Sequence, residues 1–412
     1  MMGEATGGMF KRGLQDECRG RKMKKQRVQL LRPMYDYPSG KCWLKAMLGF
    51  LLLAHGVLVA GRAESAGKSI QWGVNVHYGS MANDVVTGSL GEILLERNLT
   101  VVRLDLWGQD ASQMDPFRNV ASAMKARKIR VEANLFTPFS RGRKREHDTG
   151  ANLKEVETLC YAQTKQSVER SMDVVQDYEL QNEISLYPGI KRAGMTGQNA
   201  SDYDTPVGRL QAAALRGMSR AIDDVRKTSK HPLRIILGTT DRSFGLLTFM
   251  REQGVLFDVV GYHIYPYEEH RPLDQDPWFG PGGPLGQLAR FHKPIVIDEF
   301  NSGEIYSGAP GHPGIDYENE AGMPETEKGL RSLNKHLEEI IKQKVANVEA
   351  FLFYELCDEP AKEKPENHFG MYYDFLLQKP KVSLFLVTSF TGGKLSPAEQ
   401  AELRKRGIGL LR

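Results

Sequence analysis

Eight short runs rich in branched and aromatic residues alternate along this chain with stretches of helical period. That alternation constrains the fold more than any other feature. The runs are residues 70–79, 100–108, 129–136, 177–183, 233–240, 257–266, 293–301 and 348–358. Between them, "PFRNVASAMKARK" (116–128), "VGRLQAAALRGMSRAIDDVRKTS" (207–229) and "TEKGLRSLNKHLEEIIKQKV" (326–345) repeat apolar residues three and four apart. Each run stays apolar until its last two or three residues, as strands do when protein covers both faces of a parallel sheet. The pattern predicts an α/β fold, a (β/α)8 TIM barrel with enlarged βα loops, over residues 64–392. A doubly wound open sheet is the competitor. It would normally bring a phosphate loop, and neither G-x-G-x-x-G after a strand nor G-x-x-x-x-G-K-[ST] occurs.

The 412-residue chain carries a formal charge of +4, unevenly spread. Residues 1–63 hold 12 Lys and Arg against 4 Asp and Glu, which leaves 43 basic and 47 acidic residues for the rest. A body with an acidic excess lacks the basic face that nucleic acid requires, so no nucleic-acid partner is expected. In the leader, a basic stretch precedes the 16-residue apolar run "AMLGFLLLAHGVLVAG" (46–61). That run is short for a membrane span and suits a signal-peptide core, with Gly61 and Ala63 offering small residues for cleavage before Glu64. Export to the periplasm or the medium is expected, with membrane attachment through an uncleaved 46–61 segment as the alternative. Residues 393–412 read as a polar tail. Cys18 and Cys42 lie in the leader, and Cys160 and Cys357 are expected as buried free thiols.

Polar residues at the C-terminal ends of barrel strands face the active site. Here the runs finish in Asn75 and His77, Arg103 and Asp105, Glu132 and Asn134, Asn182 and Glu183, His263 and Tyr265, Asp298 and Glu299, and Tyr354 and Glu355. Any one pair alone reads as a cap or a loop residue. Six or seven strand ends converging on one mouth read as a site. The fourth and seventh strands stand on roughly opposite sides, so Glu183 and Glu299 can face each other across a cleft. Facing carboxylates, one protonated and one ionised, are the equipment for cleaving a glycosidic bond. Arg103 would hold one of them ionised, Tyr265 would donate to the same group, and Asn182 has the chemistry to bond a sugar hydroxyl.

Four segments then carry a resemblance: "LQNE" (180–183), "VIDEF" (296–300), "VVRLDLW" (101–107) and "GYHIYP" (261–266). Together they resemble the clan A glycoside hydrolases, retaining (β/α)8 glycosidases, over residues 70–392. Within the clan, "FYELCDEP" (353–360) with "HFGMYY" (368–373) resembles family 39-like enzymes that cut bacterial exopolysaccharides. The resemblance implies Glu183 as general acid/base and Glu299 as nucleophile. It puts Asn182 at the sugar's 2-hydroxyl, Arg103 and Tyr265 on the nucleophile's charge, and His263 on the acid/base side. Many clan members end strand eight in a Trp that supports the sugar; here Tyr354 stands in that place, with Glu355 beside it.

His77 and Asn134 complete the supporting candidates at the strand ends. Trp278 joins them from the strand-six loop, together with Tyr267 and Phe279, and the strand-seven loop adds Tyr306 and Tyr317. The basic cluster with Arg141, Arg143 and Lys144 is a candidate attractor for an anionic polysaccharide. Neither cofactor nor metal is expected, because H-x-H and H-E-x-x-H spacings are absent. Two other classes compete. One is a carbohydrate-binding barrel that has lost catalysis; the other is a metal-dependent hydrolase built on His77, His263, Asp105 and Glu299.

Overall fold

The computed structural model describes residues 70–108, 111–137, 150–265, 276–301, 325, 327–362 and 366–408. The leader with its 46–61 run, Cys18 and Cys42, the cluster of Arg141, Arg143 and Lys144, and the aromatics Tyr267, Tyr306 and Tyr317 lie outside the described residues. Eight parallel strands close into a barrel in sequence order. They are β1 (Gln71–Asn75), β2 (Val101–Leu106), β3 (Arg130–Leu135), β4 (Asp177–Leu180), β5 (Arg234–Thr240), β6 (Val259–Ile264), β7 (Ile295–Phe300) and β8 (Val348–Phe353). Pairing of β1 with β8, from Gln71 beside Ala350 to Val74 beside Phe353, closes the ring and excludes the open sheet. Each strand lies inside one of the eight runs.

The helices are α1 (Leu90–Glu96), α2 (Ala111–Ala126), α3 (Leu153–Ser171), α4 (Pro206–Thr228), α5 (Phe244–Glu252), α6 (Gly283–Ala289), α7 (Glu327–Lys342), α8 (Val382–Thr391) and α9 (Pro397–Lys405). Among the described residues no helix is long and apolar enough to cross a membrane. Helix α4 shows why these segments start and pack where they do. Thr205 caps it by accepting from the Gly208 amide, and Pro206 opens its first turn, where a missing N–H costs nothing. Gly217 lets α4 lie against α3, since a Cβ there would stand 2.2 Å from the Glu157 carbonyl oxygen.

Residues 393–412, expected as a polar tail, instead contain α9. A capping box between Ser396 and Glu399 starts this helix, Leu403 is fully buried under it, and Glu399 also accepts from Arg97 at 2.8 Å. Cys160 and Cys357 are buried free thiols.

The core has two parts. A large cluster fills the space between barrel and helices, while Val101, Ile236, Val259, Val296, Ala350 and Leu352 form a separate apolar plug inside the barrel. Strand side chains alternate with a period of two. One step further along the inward face, Val101 therefore gives way to Arg103, Val259 to Gly261 and Val296 to Asp298. This exchange from apolar plug to charged layer is what places the candidate site at the C-terminal mouth.

Candidate active site

Arg103, on β2 and only 3% exposed, is the hub of the mouth. Its Nε donates to Glu179 Oε2 at 2.6 Å, Nη1 to Asn75 Oδ1 and to Glu299 Oε1 at 2.7 Å each, and Nη2 to Asn182 Oδ1 at 2.8 Å. A planar guanidinium with five fixed donors suits such a junction of four strands better than a flexible ammonium would. Asn75 extends the tie. Its Nδ2 donates to the backbone carbonyls of Asp298 at 2.8 Å and Phe353 at 3.2 Å, joining β1 to β7 and β8.

Glu299 reaches the mouth through an irregularity in β7. Neighbouring residues on a regular strand point to opposite faces, yet Asp298 and Glu299 both meet groups inside the barrel. The pairing explains it. Tyr262 lies beside Ile297 and His263 beside Glu299, so Asp298 is the residue left over, and the β7–β8 register slips in the same place. A bulge of this kind re-aims a side chain. Asp298 consequently stays fully buried below the mouth, beside Gly261, where a Cβ would stand 2.0 Å from its Oδ2.

The β4 end is held by backbone geometry. Gln181 and Glu183 both adopt left-handed conformations, with φ of 66° and 44°. Non-glycine residues in that region are held there by their surroundings. For Gln181 these are visible. Its Oε1 accepts from the Thr137 amide at 2.6 Å, its Nε2 donates to the Tyr187 hydroxyl at 2.5 Å, and its own amide donates to the Leu135 carbonyl at 2.9 Å. Gln181, which the strand-end reading passes over, thus clamps the turn that presents Asn182 and Glu183.

The two glutamates meet. A carboxylate oxygen of Glu183, one of Glu299 and a ring nitrogen of His263 all lie within 4.8 Å of one another. His263 Nδ1 stands 3.3 Å from Glu183 Oε1 and 3.2 Å from Glu299 Oε2, so His263 lies between the pair and not on the Glu183 side alone. Tyr265 donates its hydroxyl to Glu299 Oε2 at 2.5 Å. Burial opposes the charge on Glu299, but His263 and Arg103, with the Tyr265 hydrogen bond, hold its carboxyl well below the usual range. Burial also favours a neutral His263, and here Glu299, Glu179 and Glu183 overcome it and keep the ring protonated. Burial and the neighbouring carboxylates push the Tyr265 hydroxyl far up, so it remains a donor.

Beneath the mouth lies an acidic layer. Glu132, Glu179 and Asp298 are fully buried, and both oxygens of Glu132, both of Asp298 and Oε1 of Glu179 have no hydrogen-bond partner among the described residues. His263 Nε2 stands 3.7 Å from Glu179 Oε1, too far for a hydrogen bond, so their attraction is Coulombic. Burial, then Glu179, push the Glu132 carboxyl up to about 8. Burial, then Glu132 and Glu179, push Asp298 far up as well. Glu132 and Asp298 read in the sequence as polar strand-end residues but belong to this interior layer, not to the mouth.

A second charged cluster occupies the β8–β1 side. His77 Nδ1 contacts Glu355 Oε2 at 2.6 Å and also bonds Glu359. Lys362 Nζ donates to the Tyr354 hydroxyl at 2.7 Å and to the Glu355 oxygens at 3.1 and 3.2 Å, and lies 3.5 Å from Glu359. Burial lowers the His77 pKa, but its bonds to Glu355 and Glu359 raise it to about 10. Burial pushes Glu355 up to about 7 against the pull of His77 and Lys362. The "FYELCDEP" and "HFGMYY" segments are knit by a short backbone ladder. Glu355 donates to the Phe369 carbonyl, and Met371 donates back to Glu355 at 3.0 Å. The Asp358 carboxylate accepts from the Gly370 amide and from Lys381.

One cleft of about 680 Å³ opens over these groups. Arg103, Asn182, Glu299, Tyr354, His77 and Asn134 line it, with Asn134 donating to Asp105 Oδ1 at 2.9 Å. Glu183 does not line that volume, although its side chain is 19% exposed beside Glu299 and His263. Glu355 lies under the wall at 1% exposure. Trp278 does not line the cleft either. It is 60% exposed, and the Arg242 guanidinium covers its ring at 4.4 Å from the centroid. The cleft's aromatic wall is made instead by Trp107 and Phe136, which follow β2 and β3. A Trp directly after "VVRLDL" is the signal that could have found it.

Among the described residues, three carboxylate–imidazole groups have donor atoms within 4.8 Å: His77, Glu355 and Glu359; Glu179, His263 and Asp298; and Glu183, His263 and Glu299. The first is engaged by Lys362 and the third by Arg103 and Tyr265, so the donor oxygens already serve cations and a hydroxyl. His77 and His263 belong to different groups, which separates the metal set considered from sequence.

No family model matches the chain, and no curated protein matches it. Solved structures do. The GH53 catalytic domain of Ignisphaera aggregans aligns at 16% identity and a TM-score of 0.53, covering 80% of this chain and 98% of that one. The beta-glucosidase of Thermotoga maritima, in complex with cyclophellitol, aligns at 13% identity and a TM-score of 0.51, covering 80% and 99%. At such identities the shared property is the fold, and this chain has the eight-stranded parallel barrel of those proteins.

Proposed function

We propose that the chain is a glycoside hydrolase working by double displacement with retention, with Glu299 as nucleophile and Glu183 as general acid/base. The observation that carries this reading is the meeting of the two carboxylates, with an oxygen of one within 4.8 Å of an oxygen of the other. Retaining enzymes hold their carboxyl groups about 5–5.5 Å apart, whereas inverting ones leave about 6.5–9.5 Å for a water. The names of the solved likenesses, a beta-glucosidase among them, agree with the class of reaction.

Each role follows from a contact. Glu299, kept ionised by Arg103 and His263, attacks the anomeric carbon while Glu183 gives a proton to the leaving oxygen. Asn182 spends its Oδ1 on Arg103, which leaves its amide N–H groups for the hydroxyl beside the reacting carbon. Forming the ester removes the charge from Glu299. The protonated His263 then keeps Glu183 as its partner at the mouth, where Glu183 takes the proton of the water that attacks in the second step. A finer placement among family 39-like exopolysaccharide enzymes rests on the two knitted segments after β8. Export, by cleavage after the 46–61 run or with that run kept as an anchor, rests on the leader's composition.

The test is replacement of the nucleophile. Glu299→Ala should abolish turnover of 2,4-dinitrophenyl glycosides, and added azide should restore part of it with the inverted glycosyl azide as product. Undiminished hydrolysis by that variant would remove Glu299 from the role.

A further inference from the structure

We propose that Trp107 is the platform of a second sugar-binding subsite, and that the chain takes a neutral glycan of at least two linked pyranose rings. The inference rests on the glycosidase reading and names its substrate class. Trp107 is 60% exposed although it follows a buried strand, and it lines the same cleft as Glu299 and Asn182. An indole left in water forgoes the stabilisation that burying 150–250 Å² of aromatic surface would bring, by the usual range for such rings. Phe136 stacks on one face at 3.8 Å with an interplanar angle of 5°, which fixes the ring and leaves the other face available to the cleft.

The lining of the cleft suits a sugar. A pyranose presents a sheet of C–H bonds ringed by hydroxyls, and the carboxylate of Asp105, which also lines the cleft, supplies acceptors for them. A cleft of about 680 Å³ falls mid-range for sites that enclose molecules larger than one ring.

The charge lining the cleft, among the described residues, favours a neutral ligand over an anionic one. Among the described residues, the cations lining the cleft are Arg103, His77 and Lys362. Arg103 is paired with Glu179 and Glu299, His77 with Glu355 and Glu359, and Lys362 with Glu355 and Glu359. An anionic ring would have to displace one of these pairs. A neutral one meets acceptors and aromatic faces that are already in place.

The experiment uses the full chain and two arms. In the kinetic arm, 2,4-dinitrophenyl β-glycosides carry one, two or three β-1,4-linked glucose or mannose rings. Trp107→Ala is expected to lose about tenfold in kcat/KM on the two- and three-ring substrates, mainly through KM, and far less on the one-ring substrate; tenfold corresponds to roughly 1.4 kcal/mol. Trp107→Phe should recover most of the loss. In the binding arm, Glu299→Gln protein is titrated calorimetrically with neutral trisaccharides and with trigalacturonate. Neutral ligands should bind, about tenfold more weakly once Trp107→Ala is added. Equal losses at every ring number, tighter binding of trigalacturonate, or no binding of any neutral trisaccharide would overturn the platform. Absence of turnover on all substrates by the wild type, with neutral binding intact and Trp107-dependent, would sink the hydrolase reading and leave the platform standing.

Discussion

Glu183 and Glu299 differ in how firmly their surroundings hold them, and that difference defines their division of labour. Glu299 takes hydrogen bonds from Arg103 and Tyr265 and lies against His263, so its charge is fixed before any substrate arrives. Among the described residues Glu183 bonds His263, at 3.3 Å, and it keeps 19% of its side chain in contact with solvent, as a group that must exchange protons requires. Replacing Glu183 by Gln should therefore slow hydrolysis of unactivated glycosides by about 10²–10⁴-fold, the usual worth of a positioned acid. Formation of the glycosyl-enzyme from a dinitrophenyl glycoside, whose leaving group needs no proton, should suffer much less. Pre-steady-state release of dinitrophenol measures this, and an equal loss on both substrate types would deny Glu183 the acid role.

At the scale of elements, the site depends on two departures from regularity, the slip in β7 and the left-handed turn after β4. The slip is accommodated by Gly261, since any side chain there would strike Asp298 Oδ2 at 2.0 Å and Ile236 Cγ2 at 2.9 Å. Gly261→Ala should lower the unfolding free energy by roughly 1–3 kcal/mol, the usual cost of overpacking a core. A denaturation midpoint equal to that of the wild type would show that Asp298 does not fill this space.

The same two departures mark what is and is not legible in the sequence. The eight strands, the closed order of the barrel and the strand-end positions of Arg103, His263 and Tyr265 follow from local composition and from a period of two. The slip that turns both Asp298 and Glu299 inward depends on pairing with β6 and β8, which no stretch of β7 encodes alone. Gln181 reads as one more polar residue until Thr137 and Tyr187, from two other segments, close on it. Trp278 reads as a sugar platform by type and loop position, yet Arg242, far away in sequence, takes its face. Trp107 is the converse, an unremarked residue made conspicuous by Phe136 just past the next strand.

At the scale of the whole molecule, the barrel carries opposing pH dependences. Glu299 and Glu359, the latter held down at about 2 by its bonds to His77 despite burial, contribute stability above the ordinary carboxylate range that is lost as pH falls through their depressed values. Glu132 works the other way. Its folded form binds a proton up to about pH 8 while the unfolded chain releases it near 4.5, so its stability is fully present below 4.5 and is lost as pH rises through 8. Glu132→Gln cannot ionise. Its unfolding free energy relative to the wild type should climb between about pH 5 and pH 8, by an amount on the order of a few kcal/mol. Chemical denaturation across that window measures it, and a constant difference would mean that Glu132 is ionised in the fold.

The central claim is that two carboxylates, with an oxygen of one within 4.8 Å of an oxygen of the other, act in turn on one anomeric carbon. Proton NMR during the first minutes of hydrolysis of a β-linked oligosaccharide tests it most directly, before mutarotation blurs the products. The account predicts that the new reducing end appears first as the β-anomer. First appearance of the α-anomer would contradict it.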